Sequence, residues 1–265
     1  MTRTRVISRR QVLGLGLGAL AAPHVALAQT GARALAVVEL FTSQGCSSCP
    51  PADRLLARLC GENNLIALTY NVDYWDYLGW QDSLARPEFS DRQRAYAKAR
   101  GDAEVYTPQL VVNGRAHVPG NDEARVKAVI AEAQAQALPV SLALRREGDA
   151  LVVEAGPGAA AKGASVMLIP FAEEIPVKIA RGENEGHDVV YHHVAKRLIP
   201  AGLWQGAPMR LALPAGEVMG ETPCDCVALL QAGAGGPSPG GAPPPAGRQK
   251  RGGPRRPRAP FRPPR

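Results

Sequence analysis

Acidic residues are missing from both ends of this 265-residue chain. Residues 1–29 hold four arginines and no acid, and residues 231–265 hold eight Lys or Arg and no acid. The formal net charge of +7 therefore belongs to the ends. With those twelve set aside, 19 basic residues face 24 acids, and the middle of the protein is mildly acidic, near −5. A nucleic-acid partner, which needs basic residues clustered on a folded part, is excluded on this ground. Long apolar runs are scarce too. Residues 12–22 are apolar but too few to span a bilayer, and no later segment is long enough. No stable membrane span is expected once a leader is removed. From Gly235 onward the sequence is almost wholly Gly, Pro, Ala, Ser, Gln, Arg and Lys, with Phe261 its one aromatic. Such a segment cannot bury a core, so residues 234–265 are expected to form a disordered basic tail.

What is present at the start is an export pattern. A basic stretch reaches Arg10, the apolar run follows, and Ala26-Leu27-Ala28 offers small residues for cleavage. Residues 1–28 are expected to be a signal peptide, and Ser8-Arg9-Arg10-Gln11-Val12-Leu13 resembles a twin-arginine signal. A periplasmic or secreted location follows, by either export route. There, thiols can be held as disulfides. The five cysteines are Cys46, Cys49, Cys60, Cys224 and Cys226. Five is odd, and the pairing of the last three cannot be read from sequence.

Periodicity organises the rest. Residues 34–41 and 65–70 are apolar runs typical of buried strands. Between them Ala52, Leu55, Leu56 and Leu59 form one apolar helical face, with Pro50 and Pro51 suited only to the first turn and a cap at Ser47 or Ser48. Ser90 with Gln93 reads as the capping box of a second helix. Leu110 to Val112 reads as a strand, Asn113-Gly114 as a hairpin turn, and Asn121 as the cap of a third helix. Residues 30–137 are therefore read as an α/β domain, and residues 138–233, where only short strands alternate with turns, as a smaller β-sandwich-like domain.

Cys46-Ser47-Ser48-Cys49 falls at the first strand-to-helix junction. Unpaired N–H groups and the helix dipole at that place favour a thiolate, so Cys46 is expected to attack and Cys49 to resolve. The Cys46 sulfur is expected to face solvent. The other reading is a structural disulfide. No second pair of ligands lies nearby to make the motif a metal site. Thr107-Pro108 precedes the strand at Leu110; it is either an ordinary trans proline in a loop or, as its place after the second helix and before an edge hairpin favours, a cis-proline facing the cysteine pair. The segment from Tyr74 to Trp80 is either core or one wall of a groove, and Asp73 and Asp76 are either solvated acids or cation ligands. His187, His192 and His193 read as turn and strand histidines rather than as a metal set.

The stretch Glu39-Leu40-Phe41-Thr42-Ser43-Gln44-Gly45-Cys46-Ser47-Ser48-Cys49-Pro50-Pro51-Ala52-Asp53 resembles the signature of an exported bacterial family, domain-of-unknown-function family 1223. Val72 to Trp80, Arg92-Gln93, Tyr106 to Gln109 and Gly182-Glu183-Asn184 resemble it as well. The resemblance covers roughly residues 35–233 and implies a thioredoxin-like fold and the C-x-x-C site at Cys46 and Cys49. It implies no substrate. Unlike ordinary thioredoxins, the chain has Ser-Ser between the cysteines and no tryptophan before Cys46. Glu39 loosely matches the buried acid of thioredoxins and is either a proton relay or the partner of a neighbouring arginine.

The expectation is an α/β thioredoxin-like domain followed by a smaller β-sandwich-like domain. Its function is read as thiol–disulfide exchange at Cys46 and Cys49, with Thr107, Pro108 and Glu39 in support. No cofactor beyond the redox-active disulfide is expected, and the partners are protein or small-molecule thiols. The competing class is a non-enzymatic exported binding protein with a structural Cys46–Cys49 disulfide.

Overall fold

A computed structural model describes residues 36–158, 163–220, 224–233 and 235–245. The expected leader, 1–28, and residues 246–265 of the expected tail lie outside the described residues.

The first half runs β1 (Ala36–Thr42), α1 (Pro50–Leu59), β2 (Leu65–Asn71), α2 (Pro87–Arg100), β3 (Gln109–Val112), β4 (Ala116–Pro119) and α3 (Glu123–Gln134), with a 3-10 turn at Asp76–Leu78. Every residue of β1 and β2 is buried, as befits strands covered on both faces. They pair in parallel, Ala36 beside Leu65, because a helix connects them. β3 joins β1 antiparallel, and Asn113-Gly114 turns the chain into β4 with φ of 51° and 65°. Those left-handed angles are why Asn and Gly stand there.

Alternation along β1 divides the core. Val38 and Leu40 pack with Leu55, Leu56 and Leu59 of α1 and with Val126 and Ile130 of α3. Val37 and Phe41 point the other way, toward Phe89 and Tyr96 of α2. α2 starts at Pro87, three residues ahead of the expected cap. Ser90 lies within the helix, where its hydroxyl donates to Asp73 Oδ1 instead of capping.

The second half contributes β5 (Leu142–Glu147), β6 (Ala150–Ala155), β7 (Ala164–Lys178), β8 (Asp188–Ala195), β9 (Ile199–Trp204), β10 (Met209–Pro214), α4 (Ala215–Met219), β11 (Asp225–Ala232) and β12 (Gly240–Ala242). Here the expected fold class is overturned. There is no thioredoxin-like domain followed by a separate sandwich. One mixed sheet of nine strands runs through both halves in the order β12-β11-β7-β8-β2-β1-β3-β4, with β9 also on β7. A three-stranded sheet, β10-β6-β5, packs beside it. The join is parallel pairing of β8 with β2 at Thr69 and Val194, reinforced by Thr69 Oγ1 donating to the His192 carbonyl at 2.7 Å. An open edge of β2 would leave backbone donors and acceptors unpaired, and the second half supplies the strand that closes it. β7, 15 residues long, carries the sheet onward by pairing with β8 at one end and with β11 at the other.

The expected boundary of the tail is corrected as well. Residues 235–245 pack on the fold: β12 pairs with β11, Ala242 is buried, and Ser238 N donates to the Asn113 carbonyl at 2.9 Å. Gly and Pro lower the apolar content of this segment without preventing backbone pairing, the source of its order.

Candidate functional site

Cys46 and Cys49 form a disulfide, with Cα atoms 5.4 Å apart, in the loop between β1 and α1. Cys49 is the N-cap of α1, and Pro50 and Pro51 fill the first two helical positions. The solvent-facing Cys46 expected from sequence is not found: Cys46 is 1% exposed and Cys49 is fully buried. The expected ring of free helix amides is also reduced. Two prolines bring no N–H, and the next two amides, of Ala52 and Asp53, both turn to the Cys49 carbonyl at 2.9 and 3.1 Å. The polar group placed next to the Cys46 sulfur is Ser48 Oγ, at 3.4 Å.

Distant segments hold this loop. Asp82 accepts from Gln44 N at 2.8 Å and from Asn71 Nδ2 at 2.9 Å, while its other oxygen accepts from the amides of Leu84 and Ala85. Burial raises its pKa against these bonds. Trp80 Nε1 donates to Gln44 Oε1 at 2.9 Å. The β7–β8 loop reaches across the sequence: Asn184 Nδ2 donates to the carbonyls of Gln44 and Cys46, both at 2.9 Å, and Ser47 N donates to Glu183 Oε2 at 3.0 Å.

The Thr107–Pro108 peptide is cis. Gln109 pairs with Phe41, so Pro108 stands at the end of β1 where the cysteine loop begins. A Cβ on Gly120 would meet Pro108, Leu40 and Ala52 of α1 together, which explains a glycine there and places Pro108 beside the first turn of α1. Thr107 Oγ1 is buried, with the Tyr74 hydroxyl beside it.

Glu39 lies on the opposite face of the sheet from α1. Arg92 Nε donates to Glu39 Oε1 at 2.8 Å, and the Tyr96 hydroxyl donates to Glu39 Oε2. Of the two readings for Glu39, an arginine partner is the one this arrangement supplies. A second buried acid, Asp53, stands one helical turn beyond Cys49; the motif contains it, but its position on α1 gives no sign of burial. Asp53 follows Cys49 by four residues, so the two lie on one face of the helix. Its Oδ1 accepts from Thr42 Oγ1 at 2.8 Å, and Oδ2 is buried with no partner among the described residues. Burial pushes its pKa up to about 7. With Pro50, Arg54, Ala57, Asp188, Val189, Val190 and His192 it lines a cleft of about 260 Å³ between α1 and β8.

The aromatic segment divides. Tyr74 and Trp75 pack against the core, whereas Tyr77 is 80% exposed and Leu78 40%. Asp73 and Asp76 are neither free in solvent nor gathered: Asp73 accepts from Ser90 and Asp76 Oδ1 from Asp82 N. His192 lies 3.6 Å from Glu174, and His193 Nδ1 lies 2.9 Å from the Ala67 carbonyl. Among the described residues no group of three His, Cys, Asp or Glu is placed to hold a metal ion. No helix among them is long and apolar enough to cross a membrane.

A family model described as protein of unknown function (DUF1223) matches residues 37–231, from β1 into β11. The chain belongs to that family. The DUF1223 match takes in both halves of the sheet and every element around the disulfide. A crystal structure of a protein from Agrobacterium tumefaciens is similar at 36% identity and a TM-score of 0.70, covering 79% of this chain and 93% of that one. No curated protein matches the chain.

Proposed function

We propose that this DUF1223 protein is an exported thiol–disulfide exchange protein working through Cys46 and Cys49. The observation that carries the reading is the disulfide at a strand-to-helix junction with a buried, half-unpartnered carboxyl group, Asp53, one turn along the helix. A structural disulfide needs no such acid, and leaving a carboxyl oxygen buried without a partner is unfavourable. In the reduced protein, Cys46 thiolate attacks a disulfide of the partner. One partner sulfur leaves as thiolate and takes a proton from water. Cys49 then gives its proton to Asp53 carboxylate, attacks Cys46 Sγ and releases the second partner thiolate. The partner disulfide is reduced to two thiols while Cys46 and Cys49 are oxidised, and the reverse sequence oxidises a partner dithiol. The export pattern of residues 1–28 supports a compartment where both directions are open.

The second reading, a binding protein with a structural disulfide, is favoured by one observation: both sulfurs are buried. Titration against redox buffers separates the two. An exchanger has a midpoint between about −270 and −120 mV, and a structural bond stays closed below about −300 mV. A midpoint in the second range would sink the exchange reading.

A further inference from the structure

We propose that the β7–β8 loop is a positioning clasp for the disulfide: Asn184 fixes Cys46 through its carbonyl, and Glu183 holds the Ser47 amide away from the Cys46 sulfur, limiting how much Cys46 thiolate forms. The inference rests on the exchange reading and extends it to residues 136 to 140 positions away in the chain.

The geometry of Asn184 is specific. Its side chain is buried, and one nitrogen donates to two carbonyls, those of Gln44 and Cys46. Carbonyls only accept, so the amide orientation is dictated by chemistry, and both of its N–H donors are used. An aspartate at this place has no donor for either carbonyl. The loop is itself braced. Ile179 N donates to the His187 carbonyl at 3.0 Å, and Gly186 N returns a bond to the Ile179 carbonyl at 2.9 Å. Gly182, at φ 84°, runs so close to Trp80 that a Cβ would come within 3.2 Å of the Trp80 Cβ. Trp80 in turn holds Gln44, so one clasp meets the cysteine loop from two sides.

Glu183 acts on charge. Pro50 and Pro51 carry no N–H, so the first helical turn offers fewer amides, and the Glu183 carboxylate occupies the Ser47 amide next to Cys46. A carboxylate in that position opposes a second negative charge on the neighbouring sulfur. On the elements packed against the loop, other titratable groups are Asp53 and Arg54 of α1, Asp73, Tyr74, Asp76, Tyr77 and Asp82 ahead of α2, and Arg181, Glu185 and His187 of the clasp. None of these is changed by substituting Glu183, so its effect is separable.

The test is iodoacetamide alkylation of Cys46 across pH in the reduced full chain, together with the glutathione redox equilibrium. The variants are Glu183→Gln, at an exposed position, and Asn184→Asp and Asn184→Ala. Glu183→Gln should lower the alkylation midpoint, giving about threefold more thiolate below it, the size expected of one exposed charge acting through water. Asn184→Asp and Asn184→Ala should each shift the glutathione equilibrium at least about threefold, the scale of one lost hydrogen bond. A merely structural loop would lower stability and leave both readouts in place. Wild-type midpoints retained in folded Glu183→Gln and in either Asn184 variant would overturn the clasp while leaving exchange intact. A disulfide that no variant and no reductant at exchange potentials opens would overturn both readings.

Discussion

Glu39 and Asp53 are both buried carboxyl groups beside β1, one on each side of the sheet, and they are held in opposite ways. Glu39 has a partner for each oxygen: Arg92 on one, Tyr96 on the other. Arg92 is satisfied in turn, donating to Gln231 Oε1 and to the Tyr96 hydroxyl. Burial works against the arginine charge, but the adjacent Glu39 carboxylate prevails and raises its pKa. The result is a closed ionic lock between β1, α2 and β11. Asp53 has one hydroxyl for one oxygen and nothing for the other among the described residues, and burial pushes its pKa up to about 7. Complete pairing locks a side chain in place. Incomplete pairing leaves a proton free to come and go near neutral pH.

The comparison breaks most visibly at the lock. Arg92→Met leaves Glu39 buried without its cation and should cost about 3–5 kcal/mol of stability in urea denaturation. Replacing Glu39 and Arg92 together by apolar residues should recover much of that loss; if the double variant is no better than Arg92→Met, the lock is not what the single substitution destroys.

The pH response sharpens the other side. For Asp53 the folded pKa is raised above the unfolded value of 3.8, so folding favours the protonated form. Its contribution is fully present below about pH 4 and is lost as pH rises through about 7. The span from 3.8 to about 7 amounts to roughly 4 kcal/mol. Asp53→Asn should remove this fall in stability between pH 4 and 7, as read from denaturation midpoints at stepped pH. An unchanged pH profile would show that Asp53 is not the titrating group.

A smaller effect comes from the end of the described chain. Gln231 Nε2 reaches the Gly236 carbonyl, and the backbone bonds Ala232 N to Pro237, Ser238 N to Asn113 and Val140 N to Pro239 tie the same stretch down. Truncation after Gly233 should cost at least about 3 kcal/mol, about one for each of these three backbone bonds with the β11–β12 pairing lost besides, and should leave the Cys46–Cys49 midpoint untouched. A change of midpoint would mean that the two sides of the sheet are coupled.

Much of the site's neighbourhood is legible in the sequence. The apolar runs at β1 and β2 placed the cysteine loop at a strand-to-helix junction, and Pro50-Pro51 marked the first helical turn. Burial was not readable. Nothing in the spacing of Cys46, Ser47 and Ser48 says that a loop near residue 184 will lie over them, because that contact is between segments with no shared period. Glu39 stands out in the sequence as an acid within an apolar strand, whereas Asp53 carries no such signal. An aspartate at a helical position reads as solvated until the strand it faces is known.

The fold divides along the same line. Short-range pattern marks strands at 140–145, 151–155 and 189–195, close to the observed β5, β6 and β8, since alternation and turn residues act within a few positions. It did not determine which edge those strands seek. The separate sandwich failed because β2 offered an unpaired edge and β8 closed it. For the last segment, composition set the low apolar content, and only β11 and the Asn113 carbonyl supplied partners for its backbone. Local preference is written residue by residue. The pairing of backbone groups far apart in the chain is settled when the whole sheet assembles, because each unpaired edge has to find its partner somewhere.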